Sequence, residues 1–156
     1  MSFKRISKDE YYLNIALAVS KRSTCINSHY GCVIVKDDVI VATGYNGSVR
    51  GEENCCDRGY CKRPNEERGK GYDNCDSVHA EQNALLSTSI DRLKGSTVYL
   101  ACERYYKEYE DGTFMFDWVE DENPMPCSIC YKMLKNAGVK KFVNRSCVSI
   151  LWNKMR

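Results

Sequence analysis

Proline is scarce in this chain, with 3 residues, and histidine scarcer, with 2. No stretch approaches the roughly 18 apolar residues that a membrane-spanning helix needs. Residues 1–20 hold no apolar core of the kind that opens a secretory signal, so a cytoplasmic protein is expected. There is no internal repeat, no low-complexity tract and no linker that would split the chain. Neither sign of charge dominates: 23 basic residues against 21 acidic ones leave a net charge of +2, too small to mark a polynucleotide footprint. What remains is a 156-residue chain, 43% apolar, that reads as one globular domain over residues 1–156. A chain of that length buries on the order of 70% of its unfolded surface and needs no staple to hold a core. Against these absences stand 10 cysteines. In a reduced compartment disulfides rarely persist, which leaves metal binding, catalysis or packing as their uses.

Residues 8–22 place Tyr12, Ile15, Ala16 and Val19 at helical spacing, with Ser7 and Glu10 as a capping box and Lys21 and Arg22 at the negative end of the dipole. The β-branched runs 31–35 and 39–43, split by Lys36-Asp37-Asp38, predict a hairpin. Residues 44–51 (GYNGSVRG) hold three glycines in eight positions and read as a functional loop. Residues 52–76 carry four cysteines and no apolar period, so something must tie them down. Helical spacing returns over 79–90, with Ala80, Ala84, Leu85 and Ile90 turned inward, and 97–101 predicts a strand.

Residues 102–125 carry eight acids and two bases, with Asp111-Gly112 as a hairpin signal between aromatic runs. This inserted hairpin, with Tyr105, Tyr106, Tyr109, Phe114, Phe116 and Trp118, reads as a subunit contact, a lid or a solvated decoration, the contact being favoured. Residues 127–137 predict a helix ending at Gly138, and 139–143 a last strand. Residues 126–156 carry seven bases and no acid, and could meet the hairpin across an interface. Alternating helices and strands predict a three-layer α/β/α sandwich around a central mixed sheet.

Two short stretches carry chemistry. His79-Ala80-Glu81 opens one helix and Pro126-Cys127-Ser128-Ile129-Cys130 opens another. A C-x-x-C at a helix N-terminus serves either metal binding or dithiol redox, and the dipole favours thiolate in both. Residues i and i+3 share a helix face, so two thiolates can hold one ion. With His79 they supply three zinc ligands and leave a fourth place open, the mark of a catalytic rather than a structural site. Glu81, two residues from His79, flanks the same pocket, where a carboxylate can pass protons. H-x-E paired with P-C-x-x-C is the signature of zinc-dependent nucleobase deaminases.

With His79-Ala80-Glu81-Gln82-Asn83-Ala84 and Pro126-Cys127-Ser128-Ile129-Cys130, the chain resembles the cytidine deaminase superfamily, and within it the deoxycytidylate (dCMP) deaminases. Further matching pieces are Arg22-Ser23-Thr24-Cys25, Gly31-Cys32-Val33-Ile34-Val35, the 44–51 loop, Cys61-Lys62-Arg63, Cys75 and Asn136-Ala137-Gly138-Val139-Lys140-Lys141. The resemblance implies a cytidine deaminase-like fold, with His79, Cys127 and Cys130 on zinc and Glu81 as proton shuttle. Water activated by the metal would attack carbon 4 of the cytosine ring, turning dCMP into dUMP for thymidylate supply. Asn46 would meet the sugar, the Ala80 backbone N–H the base, and Arg22 or Arg50 the phosphate. The resemblance also implies a hexamer regulated by dCTP and dTTP, with Mg2+ beside the nucleotide, through Tyr45, Asn46, Gly47 and Arg50. Val49 stands where many such enzymes have proline, which sets the regulatory loop apart.

Related enzymes carry a second, structural zinc, and its expected ligands here are Cys25, Cys56, Cys61 and Cys75. Cys32, Cys102 and Cys147 read as packing, and His29 as a loop residue. The alternatives are deamination of cytidine, CMP or a tRNA adenosine, or a non-catalytic zinc-binding assembly subunit; an intact Glu81 speaks against the last.

Overall fold

The computed structural model describes residues 3–63, 70–110, 113–147 and 150–151. In chain order the elements are α1 (Lys8–Ser20), β1 (Ser28–Lys36), β2 (Val39–Tyr45), β3 (Gly47–Ser48), α2 (Cys55–Arg58), a 3-10 turn (Tyr72–Asn74), β4 (Ser77–Val78), α3 (Ala80–Leu86), α4 (Ile90–Leu93), β5 (Thr97–Glu110), β6 (Thr113–Asp121), α5 (Ser128–Asn136), β7 (Lys141–Val143) and β8 (Ile150–Leu151). The main sheet runs β2-β1-β5-β7-β8. Its β5–β7 pair is parallel and the others are antiparallel, which makes it mixed. Beyond β7 the same edge of β5 pairs with β6, from Cys102 opposite Asp121 to Glu110 opposite Thr113. The Asp111-Gly112 turn itself lies outside the described residues, as do residues 64–69.

The pleat divides the core in two. Side chains of a strand alternate between faces. Val33, Val35, Tyr99, Ala101 and Val143 pack against Tyr12, Leu13 and Ala16 of α1. Cys32, Ile34, Val98, Leu100 and Phe142 pack against Ala80 and Ala84 of α3, Leu93 of α4 and Leu134 of α5. Helices on both faces of one sheet give the expected three layers. Fully burying a side chain such as Phe142 or Leu134 contributes about 1.5–3 kcal/mol.

Two glycines set how closely the layers approach. A Cβ on Gly31 would stand 1.9 Å from the Ala16 carbonyl oxygen, and one on Gly44 would stand 2.2 Å from that of Ala80. Glycine at 31 therefore lets α1 lie on β1, and glycine at 44 lets α3 lie on β2. At the start of α1 the Glu10 backbone N–H donates to Ser7 Oγ at 3.1 Å, one half of the expected capping box.

Several expectations need correction. The helix expected over 79–90 stops at Leu86 and a separate turn of helix begins at Ile90. Ile90 is exposed, and Leu93 takes the inward place. His29 is not in a loop but in β1, where its ring stacks on Trp118 at 3.7 Å. The basic end meets the hairpin within the chain, through Arg145 Nε and Glu120 Oε1 at 2.7 Å. Of the hairpin aromatics, Tyr106, Tyr109, Phe114 and Phe116 have side chains outside those described.

Candidate active site

His79 is the N-cap of α3 and Cys127 the N-cap of α5. A residue in that position has extended backbone, so its side chain stands at the mouth of the helix. The Gln82 side-chain oxygen accepts from the His79 backbone N–H at 2.9 Å, which fixes the turn that presents the ring. The two helix mouths face each other. His79 Nδ1 lies 3.5 Å from Cys127 Sγ and 3.4 Å from Cys130 Sγ. Among the described residues, these three alone form a group whose metal-ligating atoms all lie within 4.8 Å of one another.

The spacing fits zinc. Tetrahedral bonds of about 2.3 Å to sulfur and about 2.0 Å to nitrogen hold an N···S pair about 3.5 Å apart. The thiol chemistry agrees. Cys127 is lowered to about 3, first by its hydrogen bond with the Cys130 thiol and then by the His79 ring and the Cys130 backbone N–H. Cys130 is pushed up by the same pairing and by burial. One thiolate is thus available before any ion arrives, and ion binding would release the second proton.

Glu81 is 3% exposed and lies among the residues around this group. Burial raises its carboxyl, an effect offset in part by its own backbone N–H and the His79 ring. A carboxyl raised by burial beside the metal-ligating group is suited to passing protons.

These residues form one end of a cavity of about 610 Å³. Of the expected substrate residues, Asn46 and Ala80 line it, whereas Arg22 does not and is exposed. Arg50, also exposed, is likewise absent from its walls. Asn46 is buried, with its side-chain oxygen accepting from the Tyr30 N–H at 2.7 Å and its Nδ2 donating to the Ser28 carbonyl at 2.9 Å. An amide can make four such bonds, so one donor and one lone pair remain for a ligand. The glycine loop reaches the site by pairing β3 with β4, which leads into His79, and by Asn83 Nδ2 donating to the Tyr45 carbonyl at 2.8 Å. Tyr45 and Arg50 are exposed, and Gly47 is buried against Thr24.

Sequence reasoning missed Ser28, Tyr30, Arg63, Tyr72 and Arg104, which line the cavity together with Tyr105 of the hairpin. Arg63 stacks over Tyr72 at 4.6 Å, and Tyr72 meets the His79 ring edge-on at 4.9 Å.

The expected second cysteine group is gathered only in part. Cys25, Cys61 and Cys75 share a wall of the same cavity. The fourth thiol beside them is Cys55, which is within electrostatic reach of all three, and not Cys56. Cys55 is buried at the start of α2, and the next residue turns about 100° away, leaving Cys56 exposed with its thiol on Asp57 Oδ1 at 3.6 Å. Backbone N–H groups of Asn27 and Arg63 point at Cys25 Sγ (3.5 Å) and Cys61 Sγ (3.3 Å), while burial pushes the Cys25 thiol up. No three of the four sulfurs close to 4.8 Å. Cys32 and Cys102 are core residues, as expected.

Residues 6–145 match the family model described as "Cytidine and deoxycytidylate deaminase zinc-binding region". A deoxycytidylate deaminase of Schizosaccharomyces pombe is 34% identical over 141 residues, which cover 89% of this chain and 37% of the relative. One of Saccharomyces cerevisiae is 34% identical over 142 residues, covering 86% and 44%. The chain therefore spans less than half the length of these fungal relatives. The deoxycytidylate deaminase of Mycobacterium phage D29 is nearer in size, 33% identical with 86% and 91% covered. Among solved structures, the dCMP deaminase of cyanophage S-TIM5 in complex with dCMP and dUMP superposes with a TM-score of 0.58 at 26% identity, over 88% of this chain and 82% of that one.

Proposed function

Because this chain belongs to the cytidine and deoxycytidylate deaminase family, we propose that it hydrolyses dCMP to dUMP and ammonia. The carrying observation is the convergence of His79, Cys127 and Cys130 with buried Glu81 at one end of a cavity of nucleotide size. His79, Cys127 and Cys130 would hold the zinc, which when bound supplies Lewis-acid activation of a water. Glu81 takes a proton from the attacking water and gives it to ring nitrogen 3. It then carries the next proton to the amino group as that leaves carbon 4. The Ala80 backbone N–H meets the base, and the remaining donor and lone pair of Asn46 meet the sugar hydroxyl.

A structural zinc on Cys25, Cys55, Cys61 and Cys75 belongs to the same reading. It is supported by Cys25, Cys61 and Cys75 lining one cavity, by Cys55 within electrostatic reach of each, and by the N–H groups aimed at two of them. Binding would draw the sulfurs together and tie down the segment between α2 and β4. The reading further includes a cytoplasmic homo-oligomer, a hexamer being favoured, supplying dUMP for thymidylate synthesis. Its dCTP and dTTP regulators, with Mg2+, would approach Tyr45, Asn46, Gly47 and Arg50; exposed Tyr45, Val49 and Arg50 support that role.

The deciding experiment offers the zinc-loaded protein dCMP, CMP, cytidine, dCTP and a tRNA, and follows cytosine absorbance and ammonia. The expected result is stoichiometric conversion of dCMP to dUMP in preference to the others. Turnover of tRNA adenosine alone, or of nothing, overturns the reading.

A further inference from the structure

The strand expected to end at residue 101 continues through Arg104, and this gives the cavity a second, cationic end. Alternation along β5 puts Val98, Leu100, Cys102 and Arg104 on the face that carries α3 and α5. On the neighbouring strand Ser28, Tyr30 and Cys32 share that face, paired opposite Arg104, Cys102 and Leu100. Glu103 falls on the other face, where Lys21 pairs with it. Four residue steps of strand lead from Leu100 to Arg104, about 13 Å at 3.3 Å per residue. Cys32, the partner of Leu100, lies within electrostatic reach of Glu81. Asn46, which grips the backbone of Ser28 and Tyr30, lies between. The order along the cavity is therefore proton shuttle, sugar contact, arginine.

The guanidinium is built into place. Its Nε donates to Asp121 Oδ2 at 2.8 Å, one terminal nitrogen donates to Ser28 Oγ at 3.3 Å and the other to Tyr30 Oη at 2.6 Å. Three of its five N–H donors are thereby used, which leaves one on each terminal nitrogen, the pair a phosphate takes bidentately. Asp121 holds only the Nε edge, and the terminal nitrogens touch neutral hydroxyls. Burial opposes the charge, but the Tyr30 phenol and Asp121 more than offset it, so Arg104 stays cationic. Arg63, the other arginine of the cavity wall, is stacked on Tyr72 against His79 at the metal-ligand end. A phosphate there would sit beside the base, not beyond the sugar.

We infer that Arg104, backed by Ser28 and Tyr30, binds the 5′-phosphate of the substrate and makes the enzyme choose a nucleoside monophosphate over the nucleoside. The inference rests on the dCMP reading above. It also gives the inserted hairpin a role in catalysis, since β6 supplies the Asp121 that orients the arginine.

The test measures kcat/KM for dCMP and for deoxycytidine with the zinc-loaded protein and its Arg104→Gln and Arg104→Lys variants. In Arg104→Gln the dCMP to deoxycytidine ratio is expected to fall on the order of 100-fold, mostly through KM for dCMP. Arg104→Lys, which keeps the charge but not the fork, should recover only part of it; this variant also serves if the glutamine variant does not fold. An equal loss on both substrates would mean a purely structural arginine and would overturn the inference. So would an unchanged ratio, or a collapse seen in Arg63→Gln in place of Arg104→Gln. Wild-type protein inactive on both substrates would instead sink the activity reading itself.

Discussion

At Glu81 the chemistry and the packing make opposite demands. A carboxylate 3% exposed in a sheet–helix core costs stability unless something uses it. Its place beside three metal-ligating atoms explains why it is kept. Glu81→Gln preserves shape and removes the titratable oxygen, so the variant should keep its fold and one zinc at the His79 site while turnover of dCMP falls on the order of 10²–10⁴-fold. Substantial residual deamination with zinc retained would remove Glu81 from the mechanism. His79, Glu81, Cys127 and Cys130 were legible in the sequence because each sits within two short stretches whose spacing is fixed by the first turn of a helix. Arg104, Ser28 and Tyr30 were not, since their shared face is set by strand register between segments far apart in sequence. Cys56 was expected where Cys55 stands because adjacent thiols differ only in the helix phase, which the polar 52–76 stretch does not reveal.

At the scale of elements, the alternation of helix and strand was readable, and the ends were less so. Cys102, Glu103 and Arg104 looked like the start of an acidic insert because charge interrupts the apolar run at 101. In the structure that charge is sorted by the pleat, Glu103 to one face and Arg104 to the other. The α1 layer shows another sorting of polar groups. The Tyr12 hydroxyl donates to Asp38 Oδ1 at 2.8 Å and that of Tyr99 to Asp9 Oδ1 at 2.8 Å, latching α1 to the sheet through both helix and turn. Burial, then the bond to Asp38, pushes the Tyr12 phenol up to about 12, and burial with Asp9 raises Tyr99 likewise. In the unfolded chain both release their protons near pH 10. Above that pH the native state holds protons that the unfolded state has lost, so stability present below pH 10 declines as pH rises towards about 12. Melting temperatures from pH 9 to 11.5 should therefore fall less steeply in a Tyr12→Phe/Tyr99→Phe double variant than in the wild type, although the variant starts lower. Parallel slopes would show that these phenols are not linked to folding.

For the molecule as a whole, the segment between α2 and β4 raises the question of what holds a polar stretch against the His79 cavity. Its described polar anchors include Arg58 Nη1 to Asp76 at 3.1 Å, Lys62 Nζ to Asp76 at 2.8 Å, the latter pair partly exposed, and Arg63 Nε to the Lys70 carbonyl at 2.6 Å. Exposed ion pairs contribute about 0–1 kcal/mol each, too little to order a loop whose closure costs entropy at every residue. A four-thiolate ion would supply the missing constraint, since structural zinc contributes folding energy directly. The same segment carries Arg63, which stacks on Tyr72, and Tyr72 meets His79, so its order is tied to the metal-ligand end of the cavity. Elemental analysis should then find two zinc per wild-type chain. Cys127→Ala should lose the zinc of the catalytic group and keep the other. Cys55→Ala should lose the structural one and open the 52–76 segment to limited proteolysis, with reduced turnover because the wall against His79 loosens. Cys56→Ala, whose thiol faces Asp57 and solvent, should retain both ions and resist the protease. One zinc per wild-type chain, or loss of metal from Cys56→Ala but not from Cys55→Ala, would refute this ligand set.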